Sequence, residues 1–150
     1  MVQQLIEIKS YQGKLSEKIN KELSNVHNLI FNSKDDLNKK LIDKKSGLTL
    51  ICYLDNKIVG YKIGYEKDGS TFYSWLGGVT DDYRKKGIAQ KLMDEQISLV
   101  KSKGYQKVQT KTSNKWKSML ILNIKNDFQI VDCFKDSNNQ QEIILEKYIS

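Results

Sequence analysis

The chain predicts a mixed α/β fold: a mostly antiparallel central sheet with one parallel β-α-β crossover and helices on both faces. Three patterns carry that expectation. Leu15, Ile19, Leu23, Val26 and Ile30 step by three or four residues and lay one apolar stripe along a helix. Runs rich in β-branched and aromatic residues are separated by Asn, Asp and Gly clusters, as in hairpins. Between residues 79 and 112 a strand end, an amphipathic helix and a second strand follow one another, and such a crossover demands a parallel pair.

Taken in order, residues 5–9 read as a first strand and the stripe from Leu15 as the first helix. Ser33, followed by Asp35 and Asp36, reads as the N-cap of a short helix through Leu37, Leu41 and Ile42. Residues 48–54 and 58–66 form a hairpin about Asp55-Asn56-Lys57. Lys67-Asp68-Gly69-Ser70 then turns the chain into Phe72-Tyr73-Ser74-Trp75-Leu76-Gly77-Gly78-Val79, a strand punctuated by glycine. Ile88, Leu92, Met93, Ile97 and Val100 give the amphipathic helix of residues 89–103, and Gly104 stands where a left-handed cap belongs. Residues 107–112 read as a strand and 115–125 as a helix. Residues 130–135 and 142–148 are closing strands around a polar turn. With no proline and no linker-like tract, the 150 residues read as one domain, 1–150.

The formal charge of +7 (25 Lys and Arg against 18 Asp and Glu) favours anionic ligands by long-range steering. Nucleic acid and a phosphorylated cofactor both satisfy that sign, as does a solvated lysine-rich surface. The chain has no RNP-type aromatic pattern and no recognition-helix signature, which argues against nucleic acid. Cys52 and Cys133 lie in strand-like runs without a C-x-x-C neighbour and read as reduced, structural thiols in the cytoplasm. Met1 to Ile8 lack the basic start of a signal peptide, and no run approaches the ~18 apolar residues of a membrane helix. A soluble, cytoplasmic protein is expected. His27 is the only histidine, so neither a metal cluster nor an oriented Cys–His pair is expected.

Chemistry concentrates at Arg84-Lys85-Lys86-Gly87-Ile88-Ala89, between the glycine-punctuated strand and the helix. A basic, glycine-bearing turn opening a helix directs backbone N–H groups and the positive end of the helix dipole at one spot. Cations at a helix start oppose that dipole, so local stability does not account for them, whereas a bound anion does. The spacing fits neither G-x-x-x-x-G-K-[ST] nor G-x-G-x-x-G.

The stretch Val79-Thr80-Asp81-Asp82-Tyr83-Arg84-Lys85-Lys86-Gly87-Ile88-Ala89 resembles the acyl-CoA loop of the GNAT superfamily of N-acetyltransferases. Arg84, Gly87 and Ala89 fill the fixed positions of its [QR]-x-x-G-x-[GA] signature. The order of elements and the later segment Asn114-Lys115-Trp116-Lys117-Ser118-Met119-Leu120, continuing from Asn123 to Phe128, are also similar to the family. The resemblance implies a GNAT-like fold in which the backbone of Arg84, Lys85, Lys86, Gly87, Ile88 and Ala89 cradles the pyrophosphate of acetyl-CoA. It implies that Gly78 and Val79 pair with the pantetheine arm as with an added strand, the Val79 N–H being the position matched to the thioester carbonyl. Asn114 would bond the same arm, unless it caps the helix before Lys115, and Lys117 would meet the nucleotide phosphates.

Two departures bear on catalysis. Many members carry a tyrosine as general acid near the end of the second motif's helix, followed by Gly-Phe; here those positions read Asn123, then Asp127-Phe128. Asp127 can adopt the left-handed conformation in glycine's place. Asn123 cannot donate a proton at neutral pH, though a thiolate with pKa near ~8.5 leaves tolerably without one. An alkyl amine, by contrast, arrives protonated and needs a base. Glu66 is the first candidate for it, with Asp81 and Asp82 read as loop acids balancing the cations. The implied activity is transfer of an acetyl group from acetyl-CoA to a primary amine by direct attack in a ternary complex, with a small molecule or protein amine as partner. A catalytically weak acyl-CoA-binding sensor or subunit is the alternative. No membrane partner is expected, and a homodimer is left open.

Overall fold

The computed structural model describes residues 5–150. Its seven strands form one sheet in the order β1-β2-β3-β4-β5-β7-β6. Along the chain these are β1 (Ile6–Gln12), β2 (Leu48–Leu54), β3 (Lys57–Asp68), β4 (Thr71–Val79), β5 (Lys107–Ser113), β6 (Gln129–Lys135) and β7 (Gln141–Tyr148). Only β4 and β5 run parallel; every other neighbouring pair is antiparallel. The helices are α1 (Glu17–Phe31), α2 (Leu37–Leu41), α3 (Ile88–Ser102) and α4 (Lys117–Lys125). The expected mixed α/β fold, with its single crossover through α3, is the observed one.

The apolar stripe of α1 and the ends of α2 cover one face, where Leu23, Leu37 and Leu41 pack on Ile51, Ile58, Tyr61 and Ile63. On the other face Ile88 and Leu92 of α3 meet Leu50, Cys52 and Val59, and Met93 and Val100 meet Phe72, Val108, Phe128 and Leu145. Cys52 is buried, which pushes its thiol pKa up, whereas Cys133 is exposed on β6. Asp55 (φ 49°) and Asn56 (φ 67°) make the two-residue turn between β2 and β3, both central positions in the left-handed region that suits a primed hairpin turn.

Two local expectations change. β1 extends to Gln12 because β2 offers it a ladder along its whole length, from Ile6 opposite Leu54 to Gln12 opposite Leu48. Ser33 does not cap α2. α1 ends on Asn32 in the left-handed conformation, and the Ser33 N–H bonds back to the Asn28 carbonyl (3.1 Å), so Ser33 still belongs to the preceding helix end. Asp36 is the cap, in extended conformation, its carboxylate accepting from the Lys39 N–H and from the Asn20 side chain.

His27 ties α1 to the sheet and to the segment before α2. Its Nδ1 meets the Tyr61 hydroxyl and its Nε2 meets Asp35 Oδ2 at 2.9 Å. Burial raises the Tyr61 pKa, so that hydroxyl stays protonated and donates to Nδ1, which leaves Nε2–H to donate to the carboxylate. The bond from His27, helped by Lys40, holds Asp35 below the ordinary carboxylate range. A lowered acid favours folding fully above the unfolded value near ~3.9 and loses that contribution as pH falls through the folded value. Asp35→Asn is therefore expected to flatten the acid limb of a urea-midpoint profile below about pH 4.

α4 closes with a left-handed cap at Asp127 (φ 68°), with Asp127 N–H to Ile124 O at 3.1 Å and Phe128 N–H to Asn123 O at 3.0 Å. Aspartate bears there the strain that glycine avoids. Asp127→Gly is expected to raise stability by about 0.5–1 kcal/mol in a denaturant titration.

Candidate active site

β4 and β5 pair only from Thr71 opposite Lys107 to Ser74 opposite Thr110. Beyond that they part. Leu76 to Val79 stay with β3, while Lys111 to Ser113 stay with β7. The divergence begins at a bulge: Ser74 faces Gly64 and Leu76 faces Ile63, so Trp75 is an extra residue that bends β4. Gly64 permits it, since a Cβ there would sit 2.3 Å from Phe72 Cε1 and 2.5 Å from the Tyr73 carbonyl oxygen.

The wedge between the strands exposes backbone that a sheet would otherwise pair. The Thr80 N–H bonds to the Val59 carbonyl on β3 (2.9 Å). By antiparallel alternation Gly78 and Leu76 also bond toward β3, so Gly77 and Val79 turn their N–H and C=O groups into the wedge. The Val79 carbonyl is met by Arg84 Nε at 3.1 Å. The Gly77 N–H lies one repeat deeper.

A cavity of about 500 Å³ fills the wedge. Trp75 to Val79 form one wall, Thr110 to Thr112 the other, with Met119 and Leu122 of α4 and Phe31 of α1 closing it. Trp116, in the short 3-10 turn before α4 (Asn114–Trp116), packs edge-on against Phe31 with ring centroids 5.4 Å apart.

At the mouth, Asp81–Tyr83 makes one 3-10 turn, and the chain passes through Lys85 (φ 62°) and Gly87 (φ 79°) before α3 begins at Ile88. The first bond back into the helix start is Lys91 N–H to Gly87 O (3.1 Å). The N–H groups of Ile88, Ala89 and Gln90 thus have no intrahelical acceptor, and all three residues line the cavity. A Cβ on Gly87 would meet nothing within 4 Å, so this side of the loop is open. Asp81 balances Arg84 at 2.8 Å, as expected of a loop acid, while Lys86 lies over the Tyr83 ring and away from the cavity.

Of the expected site residues, Gly78, Val79, Arg84, Lys85, Gly87, Ile88 and Ala89 line this cavity together. Asn114 and Lys117 are exposed beside it, outside its wall, and no side chain caps the turn that Asn114 opens. The two residues expected to be catalytic, Glu66 and Asn123, both lie outside the cavity wall. Glu66 lies four residues past Lys62 on β3, roughly 13 Å along the strand and beyond the bulge. It is engaged there by Lys45 (2.8 Å) and the Tyr105 hydroxyl (2.8 Å), which hold its carboxyl below the ordinary range. Asn123 is buried against the core and absent from the cavity wall, because the helix phase gives that wall to Met119 and Leu122.

Lys62 was not expected in the site. It lines the cavity opposite Gly77 and is only 7 % exposed, and burial alone pushes its pKa down to about 8. The other charged residues of the wall are Arg84, Lys85 and Lys111; among the described residues no carboxylate lines it. The arrangement is a cleft for an elongated anionic molecule, with backbone pairing along one side, cations throughout and free helix N–H groups at the mouth.

The profile of the acetyltransferase (GNAT) family matches residues 17–116, two thirds of the chain. The chain belongs to the GNAT family. That span runs from the first residue of α1 to Trp116 and holds most of the cavity wall. Solved structures agree in fold. A GNAT family acetyltransferase from Elizabethkingia anophelis with acetyl-CoA bound has a TM-score of 0.77 at 21% identity, covering 95% of this chain and 97% of that one. An aminoglycoside 6'-N-acetyltransferase complexed with coenzyme A has a TM-score of 0.80 at 14% identity, covering 96% and 97%. A GNAT family acetyltransferase from Streptococcus pneumoniae has a TM-score of 0.77 at 15% identity, covering 96% and 100%. No curated protein sequence matches the chain. Among the described residues no helix of this GNAT protein is long and apolar enough to cross a membrane.

Proposed function

We propose that this GNAT protein transfers an acetyl group from acetyl-CoA to an amine by direct attack in a ternary complex. One observation carries the reading: the wedge between β4 and β5 runs without a break into the free N–H groups at the start of α3. A phosphate-bearing, peptide-like arm has the chemistry to fill both. The loop N–H groups from Lys85 to Ala89 hold its phosphates, the Arg84 N–H being engaged by the Asp81 carbonyl (3.4 Å), and the Lys85 cation adds to them. The outward backbone of Val79 and Gly77 pairs with the arm. When bound, acetyl-CoA supplies the activated acyl group. Because its phosphates occupy the mouth, the acyl end belongs deeper, which favours the Gly77 N–H over that of Val79 as donor to the carbonyl oxygen; such a donor contributes about 3 kcal/mol.

The walls also favour a class of acceptor. A cavity whose charged groups are Lys62, Arg84, Lys85 and Lys111 repels a second cation. An α-amino group, with pKa near ~8, reaches the site as free base far more often than an alkyl amine near ~10.4. An amino acid or a peptide N-terminus therefore fits better than a polyamine.

The reading is tested by thermal shift with acetyl-CoA, CoA, ATP and a short duplex. A rise selective for the CoA compounds is expected, from binding to the folded state alone. Gly87→Asp tolerates the left-handed backbone but adds an anion at the open side of the loop. It is expected to cut CoA affinity at least about tenfold while folding normally, whereas Gly87→Asn keeps most of the affinity. Equal shifts for Gly87→Asp and wild type would sink the loop assignment. The positions of Glu66 and Asn123 outside the cavity support the second reading, an acyl-CoA-binding sensor. Following thiol release with a panel of amines separates the two, since a sensor binds CoA tightly and releases none.

A further inference from the structure

Lys62 is the one buried cation of the cavity, and its position has no packing rationale. Its stem lies beside Gly77: a Cβ built there would stand in ordinary contact, 3.7 Å from Lys62 Cγ. In the antiparallel register Lys62 stands directly opposite Gly77, the residue that turns its N–H into the wedge. The groups around it offer no anion. β5 contributes Lys111, the loop contributes Tyr83, Arg84 and Lys85, and β3 adds Tyr61, whose hydroxyl is taken by His27. The portions of β4, α1, α3 and α4 that line the cavity carry no ionisable side chain. A buried ammonium with no carboxylate partner is kept at a cost, and an anion arriving with the ligand removes that cost.

We propose that Lys62 is the general acid of the reaction, donating its proton to the sulfur of departing CoA. This rests on the acetyl-CoA reading above. The amine nitrogen bonds to the thioester carbon, the C–S bond breaks with its electron pair on sulfur, and an Nζ proton of Lys62 passes to that sulfur. The proton shed by the acylated nitrogen goes to solvent, from which Lys62 is recharged, so the net products are the amide and CoA thiol. The assignment fills the role that Asn123, lacking an acidic proton and buried away from the cavity, does not fill. Burial loosens the Lys62 proton relative to that of an exposed lysine, which favours it as a donor at this position.

The test reads the sulfur itself. The ultraviolet thiolate band of bound CoA is titrated against pH in wild type, Lys62→Met and Lys62→Arg, with the S-methyl-CoA complex as blank. In wild type the bound thiol is expected to ionise about one pH unit or more below free CoA. Lys62→Met returns it to the free value or above, and Lys62→Arg keeps it low. With an accepted amine, kcat falls by about 10²-fold in both variants at little-changed KM for acetyl-CoA, because arginine offers charge but no transferable proton. A bound thiol that titrates alike in wild type and Lys62→Met overturns the proposal while leaving CoA binding intact. Absence of any CoA-induced thermal shift overturns the cofactor reading and this proposal with it.

Discussion

Lys62→Met is expected to stabilise the ligand-free protein by about 3 kcal/mol at pH 7, the reverse of what a core substitution usually does. Burial depresses the Lys62 pKa from its ordinary 10.5 to about 8. Below pH 8 the side chain is charged in both states, and the folded state bears the whole penalty of burying that charge. Between about 8 and 10.5 the unfolded chain holds a proton that the folded chain has released, so wild-type stability rises with pH through that window. Methionine, similar in length and apolar, has no such term. The variant should melt roughly 6–12 °C higher at pH 7 and converge with wild type near pH 10.5. Urea titrations at pH 7 and at alkaline pH check both halves; equal midpoints at pH 7 would show that Lys62 bears no burial penalty. A side chain that costs this much is retained for what it does with the ligand.

Lys62 also marks where the sequence stopped being legible. Between Tyr61 and Ile63 it occupies what alternation reads as the solvent face of a strand, and lysine is the ordinary occupant of such a face. Nothing local reveals that α3 covers that face, or that Gly77, fifteen residues on, stands opposite it beside the wedge. The loop was legible for the opposite reason. Arg84 to Ala89 combine a turn glycine, cations that oppose the helix dipole and a helix start within six residues, so the chemistry is written in adjacent positions. Elements with strong periodicity, α1 and α3, emerged within a residue or two. Ser33 and Asp36 show the usual difficulty at helix ends, where two good capping residues compete and the end of the preceding helix decides. Resemblance points to Asn123 and position at a strand end to Glu66; helix phase and an ion pair with Lys45, both tertiary facts, set them outside the cavity wall.

The second large effect concerns the bulge that opens the wedge. Gly64→Ala is expected to cost about 3 kcal/mol, lowering the melting temperature by roughly 6–12 °C, or to abolish folding. The added methyl would stand 2.3 Å from Phe72 Cε1 and 2.5 Å from the Tyr73 carbonyl oxygen. Phe72 has nowhere to retreat, being packed in the cluster of Met93, Val100, Val108 and Leu145. The carbonyl belongs to the ladder that pairs Tyr73 with Tyr65. Relief is available only by shifting β3 against β4, and that shift acts on the extra residue, Trp75, whose bend parts β4 from β5. Folded Gly64→Ala protein should therefore also bind CoA more weakly, although Gly64 is not part of the cavity wall. Gly69→Ala is the control, since a Cβ there meets nothing within 4 Å, and it should stay within about 0.5 kcal/mol of wild type. A Gly64→Ala midpoint equal to that of Gly69→Ala would mean that β3 and β4 can slide freely, and the bulge would then not be what holds the wedge open.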